Sequence, residues 1–389
     1  MRQYIAQHIQ KMPSSGIRKF FDVAQTMEGV VSLGVGEPDF QTPLPIRKAA
    51  IASLEKGETA YSSNQGMPEL RKRISDYLEN RFHISYDSEE QIVVTVGASE
   101  GIDLALRALV EPKDEVLVVE PSYVSYQPCV TMCGGIAVPI ATKAENQFRL
   151  TAQELENAIT PKTKALILPF PNNPTGAIME KEDLEKITDV IIKHDLIVIS
   201  DEIYAELTYG RQHVSIASLE GMKERTIVLN GFSKAFAMTG WRLGYAAGPS
   251  ELIQAMNKIH QYVIMCAPTP SQYAGIEALS NPDCMKDMEK MVQTYDKRRQ
   301  LVVNRFRKMG LDCFEPLGAF YVFPSIQRTN MTSEDFCERL LMEEKVAVVP
   351  GTAFGASGEG FIRCSYAYSI EALETALNKI EKFIKKFAK

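Results

Sequence analysis

The amino-acid sequence predicts an α/β protein in which a mostly parallel central sheet is flanked by helices and joined to a smaller α+β domain. Three observations predict it. Apolar runs rich in valine, isoleucine and leucine recur through the middle of the chain, helical patterns separate them, and the pattern changes near residue 286. With 389 residues, of which 45% are hydrophobic, the chain is long enough to bury a core and to form more than one domain.

The predicted strands of the central sheet are short and continuously apolar, which is typical of strands buried on both faces. They occupy residues 91–97, 115–121, 164–171, 196–202, 226–232 and 243–248. Between these runs, helical patterns predict helices at Ser99–Leu109, Glu180–His194 and Glu251–Tyr262. The alternation of strands and helices favours a layered α/β domain.

A different pattern begins near Lys286 with a long charged helix. Its further elements are short strands at 319–325 and 346–351, a helix at 333–344 and a last helix from Ser369. We therefore predict three regions along the chain. They are an N-terminal arm that is also part of the small domain (1–45), a large domain (46–285) and a small C-terminal domain (286–389).

Charge and hydropathy exclude several classes of function. The formal net charge is -6 and the pI is about 5.6, so nothing in the charge supports a nucleic-acid partner. The first residues lack the continuous apolar core of a signal peptide. A charge-free stretch at 121–142 contains three prolines and the pair Gly134–Gly135, which argues against a membrane helix. We expect a cytoplasmic protein with no membrane partner.

The cysteines predict neither a disulfide framework nor a metal site. There are seven, at irregular spacing, which is typical of reduced thiols. Cys129 and Cys133 are four residues apart, but no histidine or second cysteine pair lies nearby to complete a set of metal ligands. We therefore expect no metal.

Small and polar residues follow two of the predicted strands. Ala98 and Ser99 form a turn before a helix, where free backbone N–H groups could bind a phosphate, although Ser99 could equally be a helix cap. Asn173 lies in the segment "PNNPTG", which could place a rigid amide at the sheet edge or be an ordinary turn. Each segment by itself leaves both readings open.

Two charged residues follow the next strands. Asp201 comes directly after an apolar run, where a carboxylate needs a cation or a donor, although a helix cap is an alternative. Lys234 follows the fifth strand; a lysine can form an imine and act as a base, although most lysines are solvated charges. Ligands of open parallel sheets bind beyond the carboxyl ends of the strands, so these groups should converge there. A phosphate cradle, an amide, a carboxylate and an amine together match pyridoxal 5'-phosphate.

The chain resembles the class I/II pyridoxal-phosphate-dependent aminotransferases, near their bacterial branch of alanine, aspartate, aromatic and N-acetyl-diaminopimelate aminotransferases. Eight segments carry the resemblance, in the family's order, from about residue 16 to residue 368. They are "SLGVGEPDF", "YSSNQGMPELRKRI", "VTVGASEGIDLALRAL", "PNNPTG", "SDEIYAEL", "FSKAFAMTGWRLGY", "GAFYVFP" and "GEGFIRCSYA". The resemblance implies a fold-type-I pyridoxal-phosphate transferase whose homodimer shares its active sites across the subunit interface.

The resemblance also implies roles for the residues at the ring of the cofactor. Lys234 resembles the lysine that holds the cofactor as a Schiff base, and Asp201 the carboxylate that binds the pyridine nitrogen. Asn173 and Tyr204 match the groups that bond the phenolic oxygen. Tyr123 resembles the aromatic residue stacked on the ring. Of these, Lys234, Asp201 and Tyr204 are the implied catalytic residues.

Further implied roles concern the phosphate. Ala98, Ser99, Ser233 and Arg242 fall where the family holds it. Tyr61 resembles the tyrosine that reaches the phosphate from the partner subunit.

For the substrate, Arg363 matches the arginine that binds the α-carboxylate, with Gly36 and Asn173 beside it. Gly231 departs from the pattern, because many aspartate aminotransferases have a serine at this position. No arginine can be assigned to a second substrate carboxylate, so a strict preference for aspartate is not supported. Ile17 and Tyr321 could line the side-chain pocket or simply pack in the core.

We therefore expect an aminotransferase that moves the amino group of an L-amino acid to a 2-oxo acid by a ping-pong mechanism. Alanine with 2-oxoglutarate is the favoured pair, and aspartate, aromatic or acylated diamino acids remain open as donors. The alternative is a pyridoxal-phosphate lyase on the same scaffold, which would share the cofactor residues and differ in its products.

Overall fold

The computed structural model describes residues 4–12 and 27–387. Its helices are α1 (Gln7–Lys11), α2 (Leu44–Glu55), α3 (Pro68–Phe82), α4 (Gly97–Leu109), α5 (Tyr126–Met132), α6 (Ala152–Ala158), α7 (Lys181–Lys193), α8 (Ser250–Val263), α9 (Thr269–Ser280), α10 (Pro282–Lys308), α11 (Ser333–Glu344) and α12 (Ile370–Lys385). Its strands are β1 (Val31–Ser32), β2 (Ile92–Thr95), β3 (Glu115–Glu120), β4 (Ile136–Ala141), β5 (Thr163–Leu168), β6 (Ile197–Asp201), β7 (Thr226–Gly231), β8 (Gly244–Ala247), β9 (Tyr321–Val322), β10 (Val346–Ala347), β11 (Val349–Pro350) and β12 (Ile362–Ser365).

The central sheet has seven strands in the order β2-β8-β7-β6-β5-β3-β4. Strand β8 is antiparallel to its neighbours β2 and β7, and the other neighbouring strands are parallel. This confirms the predicted α/β class with a mostly parallel sheet. Every strand predicted for this sheet is present. The ends of the strands differ from the ends of the predicted apolar runs by at most three residues.

The continuous apolar runs arise because both faces of the sheet are covered. On one face, Ile199 and Leu229 belong to the same buried cluster as Ile102 of α4. On the other face, Val198 belongs to a cluster with Ile187 of α7. Neighbouring residues of β6 thus face opposite layers of helices, which is why its sequence shows no polar alternation.

Strand β4 is absent from the predicted set. It is an edge strand of the sheet, several of its residues are exposed, and it contains Pro139. Proline lacks the N–H that a central strand would donate, so it is tolerated only at such an edge. The segment is apolar, but its proline argues against a strand buried in the middle of a sheet, which is the kind of strand that the other runs predict.

The predicted helices are confirmed with small changes in their bounds, α10 beginning four residues before the predicted start at Lys286. Helix α7 begins after Glu180, whose side chain and that of Asp183 form a reciprocal capping box. Helices α2, α3 and α9, which lie outside the predicted set, each have a proline in the first turn, a position that favours helix initiation.

The remaining strands form two small sheets. Strand β1 pairs in parallel with β10, so a segment near the start of the chain joins one near its end. Strands β11, β12 and β9 form an antiparallel sheet next to the long helix α10. The predicted domain boundaries stay a prediction. No helix in the described part of the chain is long and apolar enough to cross a membrane.

Candidate active site

A cavity of about 750 Å³ lies at the carboxyl ends of the central strands. The expected site residues that line it are Gly36, Ala98, Ser99, Tyr123, Asn173, Asp201, Tyr204, Ser233, Lys234, Arg242 and Arg363. Tyr61 is the one expected residue that does not line it, and its side chain is 80% exposed. Because β2, β3, β5, β6 and β7 run parallel to one another, the segments that follow them meet at this edge.

Lys234 follows β7 and points its amine into the cavity. The Nζ atom donates a hydrogen bond to the Gly36 carbonyl oxygen at 2.7 Å. It also lies 5.7 Å from the centre of the Tyr204 ring and 5.8 Å from that of Phe320. Burial lowers the pKa of the amine to about 8, and the nearby Glu37 carboxylate opposes part of this shift. Such an amine is far more often uncharged near neutral pH than an ordinary lysine.

Asp201 is the last residue of β6 and is only 5% exposed. The Tyr126 hydroxyl donates to its Oδ2 at 2.8 Å, and the Ile203 backbone N–H donates to its Oδ1 at 3.2 Å. Burial raises the pKa of the Asp201 carboxyl, and these two hydrogen bonds oppose the rise. These two hydrogen bonds fix the orientation of the carboxylate, which can then pair with a cationic group in the cavity.

Tyr126 is a site residue that the sequence analysis does not identify. It begins helix α5, and its ring lies edge-to-face with that of Tyr123, with ring centres 5.6 Å apart. Both tyrosines occur in the segment "EPSYVSY", three residues apart. Tyr123 precedes the helix, so this spacing does not indicate a shared helix face, and the sequence offers no signal for the contact between Tyr126 and Asp201.

Arg363 lies in β12 and is 3% exposed. Its Nη1 donates to the Asn173 side-chain oxygen at 2.8 Å, and its Nη2 donates to the Gly34 carbonyl oxygen. The guanidinium lies between two aromatic rings, 4.5 Å from the centre of Tyr321 and 4.8 Å from that of Phe354. Its plane is therefore fixed, which suits two parallel hydrogen bonds to a carboxylate.

Tyr204 and Tyr321 form a buried pair beside this arginine. Their hydroxyl oxygens are 2.9 Å apart, and burial keeps the pKa of Tyr204 well above its ordinary value. Tyr204 therefore remains a protonated donor. A Cβ atom on Gly36 would lie 2.6 Å from the Tyr321 hydroxyl, so a residue larger than glycine would displace the tyrosine.

The first turn of α4 has the geometry of an anion site. Gly97 has a φ of 73°, which favours glycine, and a Cβ atom there would lie 2.6 Å from Nη2 of Arg242. Arg242 therefore packs directly against the turn. Ala98 and Ser99 form the first turn of the helix, where backbone N–H groups are free, and Ser233 lines the same cavity.

Gly231 departs from the family pattern for a structural reason. A Cβ atom at this position would lie 2.9 Å from the Gly244 Cα and 2.9 Å from the Leu243 carbonyl oxygen. Strand β8 runs this close to β7, so a serine would require the backbone to move.

Of the two further residues suggested for the substrate pocket, the structure describes one. Tyr321 lines the cavity, and Ile17 lies outside the described residues. Glu37 and Tyr126 also line the cavity, although neither was expected there. Glu37 lies in the segment "GVGEPDF", next to Gly36, whose carbonyl oxygen accepts a hydrogen bond from the Lys234 amine.

The side chains of the cavity fit pyridoxal 5'-phosphate. Arg242 beside the Gly97 turn suits a phosphate, the buried Asp201 carboxylate suits a protonated ring nitrogen, and the Lys234 amine suits an aldehyde. Tyr204 supplies a protonated hydroxyl for a phenolic oxygen.

Comparisons with known proteins agree. Residues 28–380 match the family described as aminotransferase class I and II. The Bacillus subtilis (strain 168) protein YugH, provisionally named an aminotransferase, is 54% identical over 99% of this chain and 100% of its own length. An aspartate aminotransferase of Pyrococcus abyssi is 49% identical over 95% of this chain and 96% of its own. The crystal structure of an aromatic aminotransferase from Pyrococcus horikoshii OT3 superposes with a TM-score of 0.91, at 47% identity, over 94% of this chain and 99% of its own.

The identities and coverage are high enough to assign the family without relying on any single motif. Members of this family use pyridoxal 5'-phosphate, in agreement with the residues that line the cavity. The chain belongs to the class I and II aminotransferases and is a pyridoxal-phosphate-dependent transaminase.

Proposed function

We propose that this aminotransferase moves the amino group of a small neutral L-amino acid, with alanine as the leading donor, to a 2-oxo acid such as 2-oxoglutarate by a ping-pong mechanism. The supporting observation is that one cavity contains a buried amine of lowered pKa, Lys234, together with the fixed guanidinium of Arg363. The first can move a proton and the second can orient an amino acid by its α-carboxylate.

Bound pyridoxal 5'-phosphate supplies an aldehyde that captures the amino group and a ring that withdraws electrons from the α-carbon. The protein positions the reacting groups. Asp201, held by Tyr126, would keep the ring nitrogen protonated, and Tyr204 and Asn173 would donate to the phenolic oxygen. The uncharged Lys234 amine would remove the α-proton, and the ammonium so formed would return this proton to the carbon of the cofactor's former aldehyde group.

We assign the phosphate to the first turn of α4. Ala98 and Ser99 offer backbone N–H groups there, and Arg242 offers positive charge. Ser233 adds a hydroxyl, and Tyr123 stacks on the ring. These contacts bind without taking part in proton transfer.

The charges in the cavity support a neutral donor. Among the described residues that line it, the cations are Lys234, Arg242 and Arg363. The cofactor uses the first two, and the α-carboxylate uses the third. Within the part of the site that this chain supplies, none of these cations remains for a second carboxylate, so a donor with an uncharged side chain avoids an unpaired buried charge there. Because the relatives include proteins named aspartate and aromatic aminotransferases, these donors belong in the same test.

A homodimer with shared sites completes the proposal. Tyr61 is exposed, and so are Tyr262 (86%) and Val263 (65%). The Asn64 side chain donates to the Met265 carbonyl oxygen, which joins the segment of Tyr61 to the end of α8. Exposed apolar side chains on adjoining segments favour a subunit interface. We also place the enzyme in the cytoplasm, since its cysteines are free thiols.

The test mixes each of a panel of amino donors with the enzyme that contains bound pyridoxal 5'-phosphate. The reaction is monitored by the loss of the cofactor's visible absorbance. Alanine should give the largest second-order rate constant among alanine, aspartate, phenylalanine and lysine. With alanine, one pyruvate should form for each cofactor molecule that is aminated. A larger rate constant for aspartate would contradict the neutral-donor proposal. Release of ammonia without amination of the cofactor would instead indicate the lyase.

A further inference from the structure

A pair of titratable side chains, one fully buried and the other partly buried, lies behind the first turn of α4. His260, on α8, is 0% exposed, and its Nδ1 is 2.8 Å from Oε1 of Glu100. The other carboxylate oxygen of Glu100 accepts the Val96 backbone N–H at 2.5 Å. Neither Glu100 nor His260 lines the cavity, so neither can contact a bound substrate or cofactor directly.

The turn itself is held from three directions. The Thr95 hydroxyl donates to the Gly97 carbonyl oxygen at 2.9 Å, and Arg242 packs against Gly97. Glu100 supplies the third contact through Val96. Only this third contact depends on a separate helix, because Glu100 is in turn held by His260 of α8.

His260 connects this turn to the exposed surface that includes Tyr61. Its carbonyl oxygen accepts the backbone N–H groups of Ile264 and Met265 at the end of α8. The Met265 carbonyl oxygen accepts the Asn64 side chain at 2.8 Å. A continuous series of hydrogen bonds therefore runs from this surface to Val96.

We propose that Glu100 and His260 are a positioning pair that fixes the phosphate-binding turn and thereby sets how slowly the cofactor dissociates. The inference rests on the proposed assignment of the phosphate to Ala98 and Ser99. Glu100 fixes the Val96 peptide that leads into these two residues, and a binding site that is already ordered loses less entropy when its ligand binds.

Each half of the pair depends on the other. The Glu100 side chain is only 14% exposed, and without His260 this carboxylate would lose its only described side-chain partner. Leaving one member of a buried charged or polar pair without its partner is strongly unfavourable, and the remaining side chain then moves to reach water. The Val96 contact would be lost with it.

The experiment measures the dissociation rate of pyridoxal 5'-phosphate from the purified enzyme, diluted into a solution with a trap for the free aldehyde. Glu100→Ala and His260→Ala should each speed dissociation about ten-fold, as expected for the loss of one hydrogen bond of ordinary net strength. Glu100→Gln should keep the slow dissociation of the wild type, because its side-chain amide oxygen can still accept the Val96 N–H. Asp103→Asn is the matched control, since it removes only a surface ion pair with Arg107 from the same helix.

A second measurement uses the enzyme without cofactor. Amide hydrogen exchange of a peptide that covers residues 95–99 should be faster in Glu100→Ala and His260→Ala than in the wild type, and unchanged in Glu100→Gln and Asp103→Asn. This readout remains usable even if a variant binds cofactor too weakly for its dissociation to be followed.

Ser233→Ala separates this inference from the assignment on which it rests, because it removes a hydroxyl assigned to the phosphate and leaves the first turn of α4 unchanged. If Ser233→Ala speeds dissociation and Glu100→Ala does not, the phosphate site is correct and the positioning pair is wrong. If neither changes the rate, the phosphate assignment itself is wrong. Faster dissociation in Glu100→Gln equal to that in Glu100→Ala would also overturn the inference, because a retained acceptor should suffice.

Discussion

The hydroxyl oxygens of Tyr204 and Tyr321 lie 2.9 Å apart in the wall of the active site, and both residues are buried. The Tyr321 ring also packs on the Arg363 guanidinium, with 4.5 Å between the ring centre and the guanidinium carbon. Tyr321 therefore contacts both the group proposed for the phenolic oxygen of the cofactor and the group proposed for the substrate carboxylate. A change at one of these groups can reach the other through a single side chain.

We expect Tyr321→Phe to raise the pH midpoint at which the visible absorbance of the bound cofactor changes. Either hydroxyl of this pair can donate; with Tyr321 as the donor, the Tyr204 proton is free to reach the phenolic oxygen. A donor to the phenolic oxygen stabilises its ionised form, which lowers that midpoint. The rise should be about half a pH unit, corresponding to less than one ordinary hydrogen bond, and smaller than for Tyr204→Phe. Spectrophotometric pH titration measures it.

Tyr366→Phe is the control for this titration. Its hydroxyl is also buried and donates to the Ala319 carbonyl oxygen at 3.1 Å, but it does not line the cavity. An equal shift in both variants would show that any lost buried hydroxyl has this effect and would remove the special role of Tyr321.

The lowered pKa of Lys234 predicts how the enzyme without cofactor takes up pyridoxal 5'-phosphate. Since burial lowers this pKa to about 8, the reactive uncharged amine is the minor form below pH 8 and the major form above it. The rate of uptake should therefore rise through pH 8 and level off well below the pH at which an ordinary lysine loses its proton.

Lys234→Ala should still bind the cofactor through its phosphate but show no turnover. Near-native turnover in steady-state assays would refute the assignment of Lys234.

Glu37→Gln provides an independent check on the same titration. The Glu37 carboxylate raises the pKa of Lys234 against the effect of burial, so its removal should lower the midpoint of cofactor uptake below that of the wild type. A midpoint that stays unchanged or moves upward would mean that Glu37 does not act on the amine.

The site residues at the strand ends could be predicted from the sequence, because the carboxyl ends of parallel strands lie at the same edge of a sheet. Parallel strands buried on both faces have continuous apolar runs, so Asp201 and Lys234 could be placed at the same edge before any contact was known. Residues such as Tyr126 and Phe354 could not. Their approach to Asp201 and Arg363 depends on where α5 begins and on how the strands around β12 fold back, which are tertiary features.

We expect Tyr126→Phe to weaken the electronic role of Asp201 while leaving the fold intact. Removing this hydroxyl takes a donor from a buried carboxylate, so the pKa of Asp201 should rise further and less of the group should be ionised. A lost hydrogen bond to a charged group costs about 1.5–3 kcal/mol, so kcat should fall by about ten-fold or more. Steady-state kinetics measure the fall, and its size should increase toward acidic pH.

The thermal midpoint serves as the control for Tyr126→Phe. A loss of kcat that does not depend on pH and parallels a loss of thermal stability would point to packing rather than to Asp201. Tyr366→Phe, which removes a buried hydroxyl away from the cavity, should leave kcat unchanged.

Tyr61 lies on the surface of its own chain and outside its own cavity, so an effect on cofactor binding would have to come from another subunit. We expect Tyr61→Ala to speed cofactor dissociation about ten-fold, as for the loss of one hydrogen bond to the phosphate. Met342→Ala, which also removes a large exposed apolar side chain, should leave the rate unchanged.

Mixed subunits decide whether the site is shared. A hybrid of Tyr61→Ala and Lys234→Ala chains contains one site with native Tyr61 from one chain and native Lys234 from the other, and a second site that lacks both. After unfolding and refolding of the mixture, an active population with native slow dissociation should therefore appear. If Tyr61 acts within its own chain, each hybrid site lacks one of the two residues and no such population forms. A monomer in sedimentation at assay concentration would contradict the shared site independently of these rates.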